Sequence, residues 1–263
     1  MFSVYKSQLP WEILISEFVA LFLLVLASYT ATFLGKTHQK YRFIFASFYG
    51  ASVFVVPLIG VGLFRLLTHL SATDKLIQVD NVTTVVNPMN SLFYIFIELF
   101  LSLSRHTKAN LTFSNIMILM VVHLSSVICA SVVWYFIRKR YKFDHFLQVP
   151  NVFNYDQTLK NIGLSIFFIG ALFGVQMMSR LHQTSIFLNA FLTAFILFCC
   201  LMFASYVLNI FSFPSNIYVS LSRYFMILVY HRNFFLNTVA MAETTLTYTM
   251  FTCFFSVFAI VIL

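Results

Sequence analysis

Four polar side chains stand inside or at the head of apolar runs of this chain. Glu17 lies within the first apolar run and His123 within a later one, while Asn87 and Asn216 each precede a short apolar run. A carboxylate inside a membrane usually has a specific partner, and an asparagine can donate its side-chain N–H to a passing water or hydroxyl oxygen. These residues suggest hydrogen bonding to small neutral molecules, provided that the apolar runs lie in a bilayer.

The composition favours a bilayer. Hydrophobic residues make up 60% of the 263 residues and charged residues only 9%, with a mean hydropathy of +0.90, whereas about a quarter of a soluble domain is charged. The formal net charge of +8 comes from residues between the apolar runs, which suits lipid headgroups better than nucleic acid. Six runs have the length of about 20 residues that a span needs: Trp11–Phe33, Phe43–Phe64, Ser114–Ile137, Leu159–Met178, Thr184–Phe211 and Thr238–Leu263.

Two further apolar runs, Pro88–Leu103 and Ile217–Tyr230, are short for a full crossing and suit re-entrant segments. Each half then contains two spans, a half-span and a third span. Because three full spans are an odd number, the second half enters the membrane from the opposite side. We therefore predict an all-α membrane protein with six transmembrane helices and two re-entrant half-helices in an inverted repeat. It forms one channel domain over residues 1–263, with repeats at about 11–137 and 159–263.

Four stretches resemble the aquaporin family, and most closely its unorthodox branch, the superaquaporins. The first is similar to the opening helix of the family and contains Glu17. The second matches the first Asn-Pro-Ala box with Met89 in place of alanine, and the third has His123 where glutamine is usual. The fourth is similar to the second box and half-helix of the unorthodox branch. The four stretches are Trp11–Leu26, Asn87–Met89, Val121–Ala130 and Asn216–Met226.

The resemblance implies a pore lined by the two boxes. Asn87 and Asn216 would orient the passing molecule, and Pro88 suits the first position of a half-helix because its missing N–H is not needed there. In the second box Ile217 and Tyr218 replace proline and alanine. The Tyr218 ring could narrow the passage or offer it a hydroxyl, or it could merely pack between helices.

The selectivity filter also differs from that of the family. Val219 stands where water-selective members carry an arginine, Ala204 falls near the position of the fifth-helix histidine, and Phe213 falls near the loop position beside the filter. Without the arginine, we expect a wider and more apolar constriction.

Three residues are predicted to give polar support. The resemblance implies that Glu17 accepts hydrogen bonds from the backbone of a re-entrant loop, against the alternative of a direct role in transport. Asn161 is its counterpart in the second half. His123 is interpreted as a satisfied buried histidine or, if it lies beside the pore, as a pH-sensitive gate.

No enzymatic pattern is visible in the sequence. There is no nucleophile elbow, no histidine pair with metal-ligand spacing and no glycine-rich phosphate loop. We therefore expect a protein that is not an enzyme, with no catalytic residues, no cofactor and no metal.

The sequence thus predicts an aquaporin-like channel for passive transport of water or small uncharged solutes such as glycerol or hydrogen peroxide. One alternative is a non-conducting scaffold or regulator of the same fold in an intracellular membrane. A second is a polytopic chemosensory-type receptor, in which one short run is a seventh span. The expected partners are the lipid bilayer and the solute, with a homotetramer implied by the resemblance and no nucleic acid.

The membrane and the orientation stay open. The protein is expected to be a multi-pass protein of an intracellular membrane, such as the endoplasmic reticulum, or of the plasma membrane. With both termini in the cytosol, as the resemblance implies, the cytosolic connections would hold six Lys and Arg residues and the opposite connections ten. That distribution is contrary to the positive-inside rule.

Overall fold

The computed structural model contains eight helices in the part of the chain that it describes. The described residues are 10–37, 41–70, 89, 91–103, 111–141, 155–182, 185–209, 215–230 and 245–258. The helices are α1 Trp11–Thr37, α2 Tyr41–Leu70, α3 Ser91–Leu103, α4 Phe113–Tyr141, α5 Tyr155–His182, α6 Ile186–Tyr206, α7 Ile217–Tyr230 and α8 Thr245–Phe258. The predicted all-helical class is confirmed in this part of the chain.

Five of these helices, α1, α2, α4, α5 and α6, are long and apolar enough to cross a membrane. The chain is therefore a multi-pass membrane protein. The sixth predicted span, Thr238–Leu263, is described only over α8, and its two ends lie outside the described residues. Helix α2 continues to Leu70, six residues beyond the predicted Phe64, because the residues after Phe64 continue its apolar helical pattern.

The two short helices lie where the two short apolar runs were predicted. Helix α3 has 13 residues and α7 has 14. At 1.5 Å per residue each is about 20 Å long, well short of the hydrocarbon core of about 30 Å. Neither helix as described can cross a bilayer alone.

Contacts between side chains give the helix directions. Helix α4 lies parallel to α1, because Glu17 contacts His123 and, further along both helices, Tyr29 stacks on Trp134. We call the membrane side where α1 begins the first face and the side where it ends the second face. Helices α5 and α6 form an antiparallel pair, and Arg42 at the start of α2 donates to the Ser205 carbonyl near the end of α6. The end of α6 and the start of α5 therefore lie at the second face.

The packing of the helices brings α7 against α1 and α4. Helix α1 packs on α2 and α4, α2 packs on α6, α5 packs on α6, and α7 packs on α1 and α4. Many buried side chains in this bundle are polar, whereas many exposed ones are large and apolar, as expected when the surrounding solvent is lipid. The candidate site lies where α1, α4 and α7 meet.

Candidate functional site

Asn216 is the N-cap of α7. Its Oδ1 accepts hydrogen bonds from the backbone N–H of Tyr218 at 2.9 Å and of Val219 at 3.3 Å. An N-cap asparagine of this kind satisfies N–H groups that have no partner within the helix. The predicted start of the second short helix therefore has a direct cause in the side chain of Asn216.

The amide nitrogen of the same side chain faces the start of the other short helix. Asn216 Nδ2 lies 3.6 Å from Met89 Sδ, and the two residues are 2% and 1% exposed. Met89 is the third residue of the predicted first box and lies two residues before α3. The N-terminal ends of α3 and α7 therefore meet inside the bundle.

A hydrogen-bonded row of three side chains crosses from α1 through α4 to α7. His123 Nε2 lies 3.0 Å from Glu17 Oε2, and His123 Nδ1 lies 2.9 Å from the Tyr218 hydroxyl. Glu17 and His123 are fully buried, and Tyr218 is 5% exposed. The row links both predicted support residues of the first half to Tyr218, the third residue of the predicted second box.

The row constrains the proton positions on His123. An ionised carboxylate only accepts hydrogen bonds, so with Glu17 ionised the proton of a neutral imidazole lies on Nε2. Nδ1 then accepts from the Tyr218 hydroxyl. Among the described residues the other carboxylate oxygen, Glu17 Oε1, is buried without a hydrogen-bond partner. Glu17 is therefore linked to α7 through the His123 imidazole, and not through hydrogen bonds from the described backbone of α7.

A second polar cluster lies further along α7, toward the second face. The Ser222 hydroxyl lies 2.6 Å from the Tyr29 hydroxyl and 2.7 Å from the Ser131 hydroxyl. The next residue, Arg223, donates from Nη2 to Thr32 Oγ1 at 3.2 Å. Side chains of α1 and α4 therefore hold α7 at two levels, and a guanidinium lies within the bundle.

The remaining predicted site residues are placed as follows. Ile217, Val219 and Ala204 are buried, at 8%, 4% and 0% exposure. Asn161 has a buried Oδ1 that accepts no hydrogen bond from the described residues. Asn87, Pro88 and Phe213 lie outside the described residues.

Sequence reasoning missed the hydroxyl cluster and Arg223. Serine and threonine are common in apolar helices, so Ser131 and Ser222 gave no signal by themselves. Arg223 did carry one, because a charged residue within an apolar run of 14 residues marks a functional position by default.

No metal site was predicted, and in the described part of the chain no three His, Cys, Asp or Glu side chains are grouped to hold a metal ion.

Comparison of the chain with protein-family models, with curated proteins and with solved structures gave no match.

Proposed function

We propose that this protein is a membrane channel of aquaporin type that passes water or small uncharged solutes, such as glycerol or hydrogen peroxide. The observation that carries the proposal is the contact between Asn216 Nδ2 and Met89 Sδ, which joins the starts of two helices too short to cross a bilayer. Two such ends that meet inside a membrane protein are the expected centre of an inverted repeat.

The directions of the two short helices support this arrangement. Helix α7 starts beside Glu17 and His123 and reaches Thr32, near the end of α1, so it runs toward the second face. Helix α3 starts after Met89, and its Glu98 accepts from the backbone N–H of Leu111, just before α4. Since α4 begins at the first face, α3 runs toward that face. The short helices therefore leave their meeting point in opposite directions.

The chemistry of the meeting point suits a neutral solute. The start of a helix carries partial positive charge, so two such ends disfavour a cation between them. Asn216 uses Oδ1 to cap α7 and turns its N–H donors toward Met89. A thioether is a weak acceptor, whereas a water or alcohol oxygen is a good one. A water or alcohol oxygen that displaces the Met89 side chain therefore replaces the weak Asn216–Met89 hydrogen bond with a stronger one to Asn216.

A non-conducting scaffold of the same fold is the second candidate. Ile217, Tyr218 and Val219 are all less than 9% exposed, and the Tyr218 hydroxyl is bonded to His123. A pathway past α7 would have to pass these side chains. This packing favours a closed bundle in which Tyr218 only joins helices.

The channel and the scaffold predict different permeabilities for vesicles that contain the protein. Purified protein in vesicles should raise osmotic water, glycerol or peroxide permeability above that of empty vesicles. Met89→Ala should raise the flux further by removing the side chain that faces Asn216, whereas the matched control Met120→Ala should not, because Met120 is 38% exposed on α4. Asn216→Ser keeps a good N-cap residue but removes the amide N–H, and it should lower the flux.

The scaffold candidate predicts another outcome. Wild-type, Met89→Ala and Tyr218→Ala proteins would all leave the permeability at the level of empty vesicles while remaining folded in the bilayer. That result would reject the channel and retain the fold.

A further inference from the structure

A lateral groove between α5 and α6 lies away from the candidate site. It has a volume of about 630 Å³ and an almost wholly apolar lining. Its lining includes Lys160, Gly163 and Phe167 from α5, and Cys199, Phe203 and Leu208 from α6 and the residues after it. Phe167 and Phe203 are 67% and 48% exposed, so the groove opens to the surroundings of the bundle, which in a bilayer are lipid.

The groove has a shallow end and a deep end. Lys160 lies in the second turn of α5 and Leu208 lies just after α6, so both are near the second face. Phe167 lies two turns deeper, about 10 Å along the helix axis. Cys199 and Cys200 are opposite it on α6. The groove thus extends from the membrane surface into the hydrocarbon, the direction in which an acyl chain lies.

Gly163 makes room for the groove. A Cβ atom placed on Gly163 meets no heavy atom within 4 Å, so the space beside this glycine is empty of protein. In a helix, glycine costs about 1 kcal/mol relative to alanine. Lipid is the solvent available to fill this space.

Lys160 lines the shallow end of the groove, and its ion-pair partner Asp156 lies one helical turn nearer the second face. Lys160 forms an ion pair with Asp156, and their side chains are 39% and 72% exposed. An ammonium has three donors and a carboxylate has about four acceptor positions, and both side chains are exposed enough for a further charged group to approach them. A phosphate complements Lys160, and a primary ammonium complements Asp156.

We propose that this groove binds a phospholipid with a zwitterionic, amine-bearing headgroup. One acyl chain lies along Gly163 between α5 and α6, the phosphate accepts from Lys160, and the headgroup ammonium donates to Asp156. A purely anionic headgroup would satisfy Lys160 but would be repelled by Asp156, so the charge pair selects the zwitterion.

The test uses phosphatidylethanolamine with a photoactivatable diazirine in one acyl chain, mixed into phosphatidylcholine vesicles that contain the full protein. After irradiation, mass spectrometry of peptides should locate the label on α5 and α6 at the groove. Unlabelled phosphatidylethanolamine should compete better than phosphatidylglycerol. Gly163→Trp should fill the groove and remove most of the label. The matched variant Gly174→Trp should keep it, because Gly174 also has open space around it but does not line the groove.

The headgroup contacts are tested separately. Lys160→Gln should weaken labelling about fivefold, as expected for the loss of one basic residue at a membrane surface. Asp156→Asn should remove the preference for phosphatidylethanolamine over phosphatidylglycerol.

Three outcomes would overturn the proposal. The label could be spread equally over lipid-facing positions such as Val121 and Ile128 and be unaffected by Gly163→Trp. Phosphatidylglycerol could compete as well as phosphatidylethanolamine against the wild-type protein. Alternatively, the groove could stay unlabelled while Cys199 forms crosslinks between two chains, in which case a second copy of the protein covers it.

Discussion

The row formed by Glu17, His123 and Tyr218 makes a strong prediction about stability. In His123→Leu, the Glu17 carboxylate and the Tyr218 hydroxyl would both lose the hydrogen bonds that they make with the imidazole. A buried carboxylate left without its hydrogen-bond partner costs about 3 kcal/mol or more, and a buried hydroxyl without a partner costs about 1–3 kcal/mol. We therefore expect His123→Leu to lower the free energy of unfolding by about 4 kcal/mol or more.

Two further variants separate the contribution of the Tyr218 hydroxyl from that of the Glu17 carboxylate. Tyr218→Phe removes only the hydroxyl and should cost about 1 kcal/mol, the range found for single hydrogen bonds in membrane bundles. The double variant Glu17→Leu, His123→Leu removes the carboxylate together with its partner. It should be more stable than His123→Leu, because replacement of a whole buried pair by apolar residues is often close to neutral. Part of the loss should remain, since the Tyr218 hydroxyl still lacks the imidazole.

The assay is the free energy of unfolding in mixed micelles or by steric trapping. Ser125→Ala is the control, because Ser125 is exposed on the same helix and its hydroxyl donates to the Val121 carbonyl one turn earlier. It should change stability by less than about 0.5 kcal/mol. The predicted stabilisation by the row is refuted if His123→Leu is as well tolerated as this control, or if the double variant is no more stable than His123→Leu.

Two other predictions concern orientation and packing. The last turn of α4 carries three basic residues, so the positive-inside rule predicts that the second face is cytosolic. In sealed vesicles with the cytosolic side outward, a membrane-impermeant maleimide should label Lys139→Cys but not Leu70→Cys at the first face, and the reverse pattern would contradict this orientation. Where α2 packs on α6, a Cβ at Gly50 lies 3.3 Å from Phe198 Cβ, so Gly50→Leu should destabilise by about 1–3 kcal/mol through overpacking. Gly62→Leu should not, since a Cβ placed on Gly62 meets no atom of another element within 4 Å, and equal losses in the two variants would count against the α2–α6 packing.

The sequence predicted the elements of the fold because each element depends on local properties. The length of an apolar run decides whether a helix can span, and α7 occupies Ile217–Tyr230 as predicted because the Asn216 side chain caps it. The described helix α3 begins at Ser91, whereas the predicted short run begins at Pro88, which lies outside the described residues. Helix α2 extends six residues past the predicted end of the second span at Phe64, because Leu66, Leu67 and Leu70 continue its apolar pattern between polar residues.

The site depends on contacts that the sequence alone could not rank. Glu17 and His123 are 106 residues apart, and Tyr218 is a further 95 residues along the chain. Each of them was singled out, but only the packing of α1, α4 and α7 shows that they bond to one another. Ser131 and Ser222 were not singled out at all, because the importance of a serine in a bilayer depends on which neighbour its hydroxyl reaches.

The distribution of polarity around α4 bears on the choice between channel and scaffold. Val121, Ile128 and Val132 are 63%, 50% and 48% exposed, whereas His123 and Ser131 are buried against α1 and α7. Helices associate in membranes through van der Waals packing, lipid entropy and hydrogen bonds, and a single hydrogen bond between them adds only about 0.6 kcal/mol on average. A scaffold therefore gains little from an interior of carboxylate, imidazole and hydroxyl groups. A pathway for water or an alcohol needs such groups, because the solute must exchange the hydrogen bonds that it makes in water for others within the bilayer.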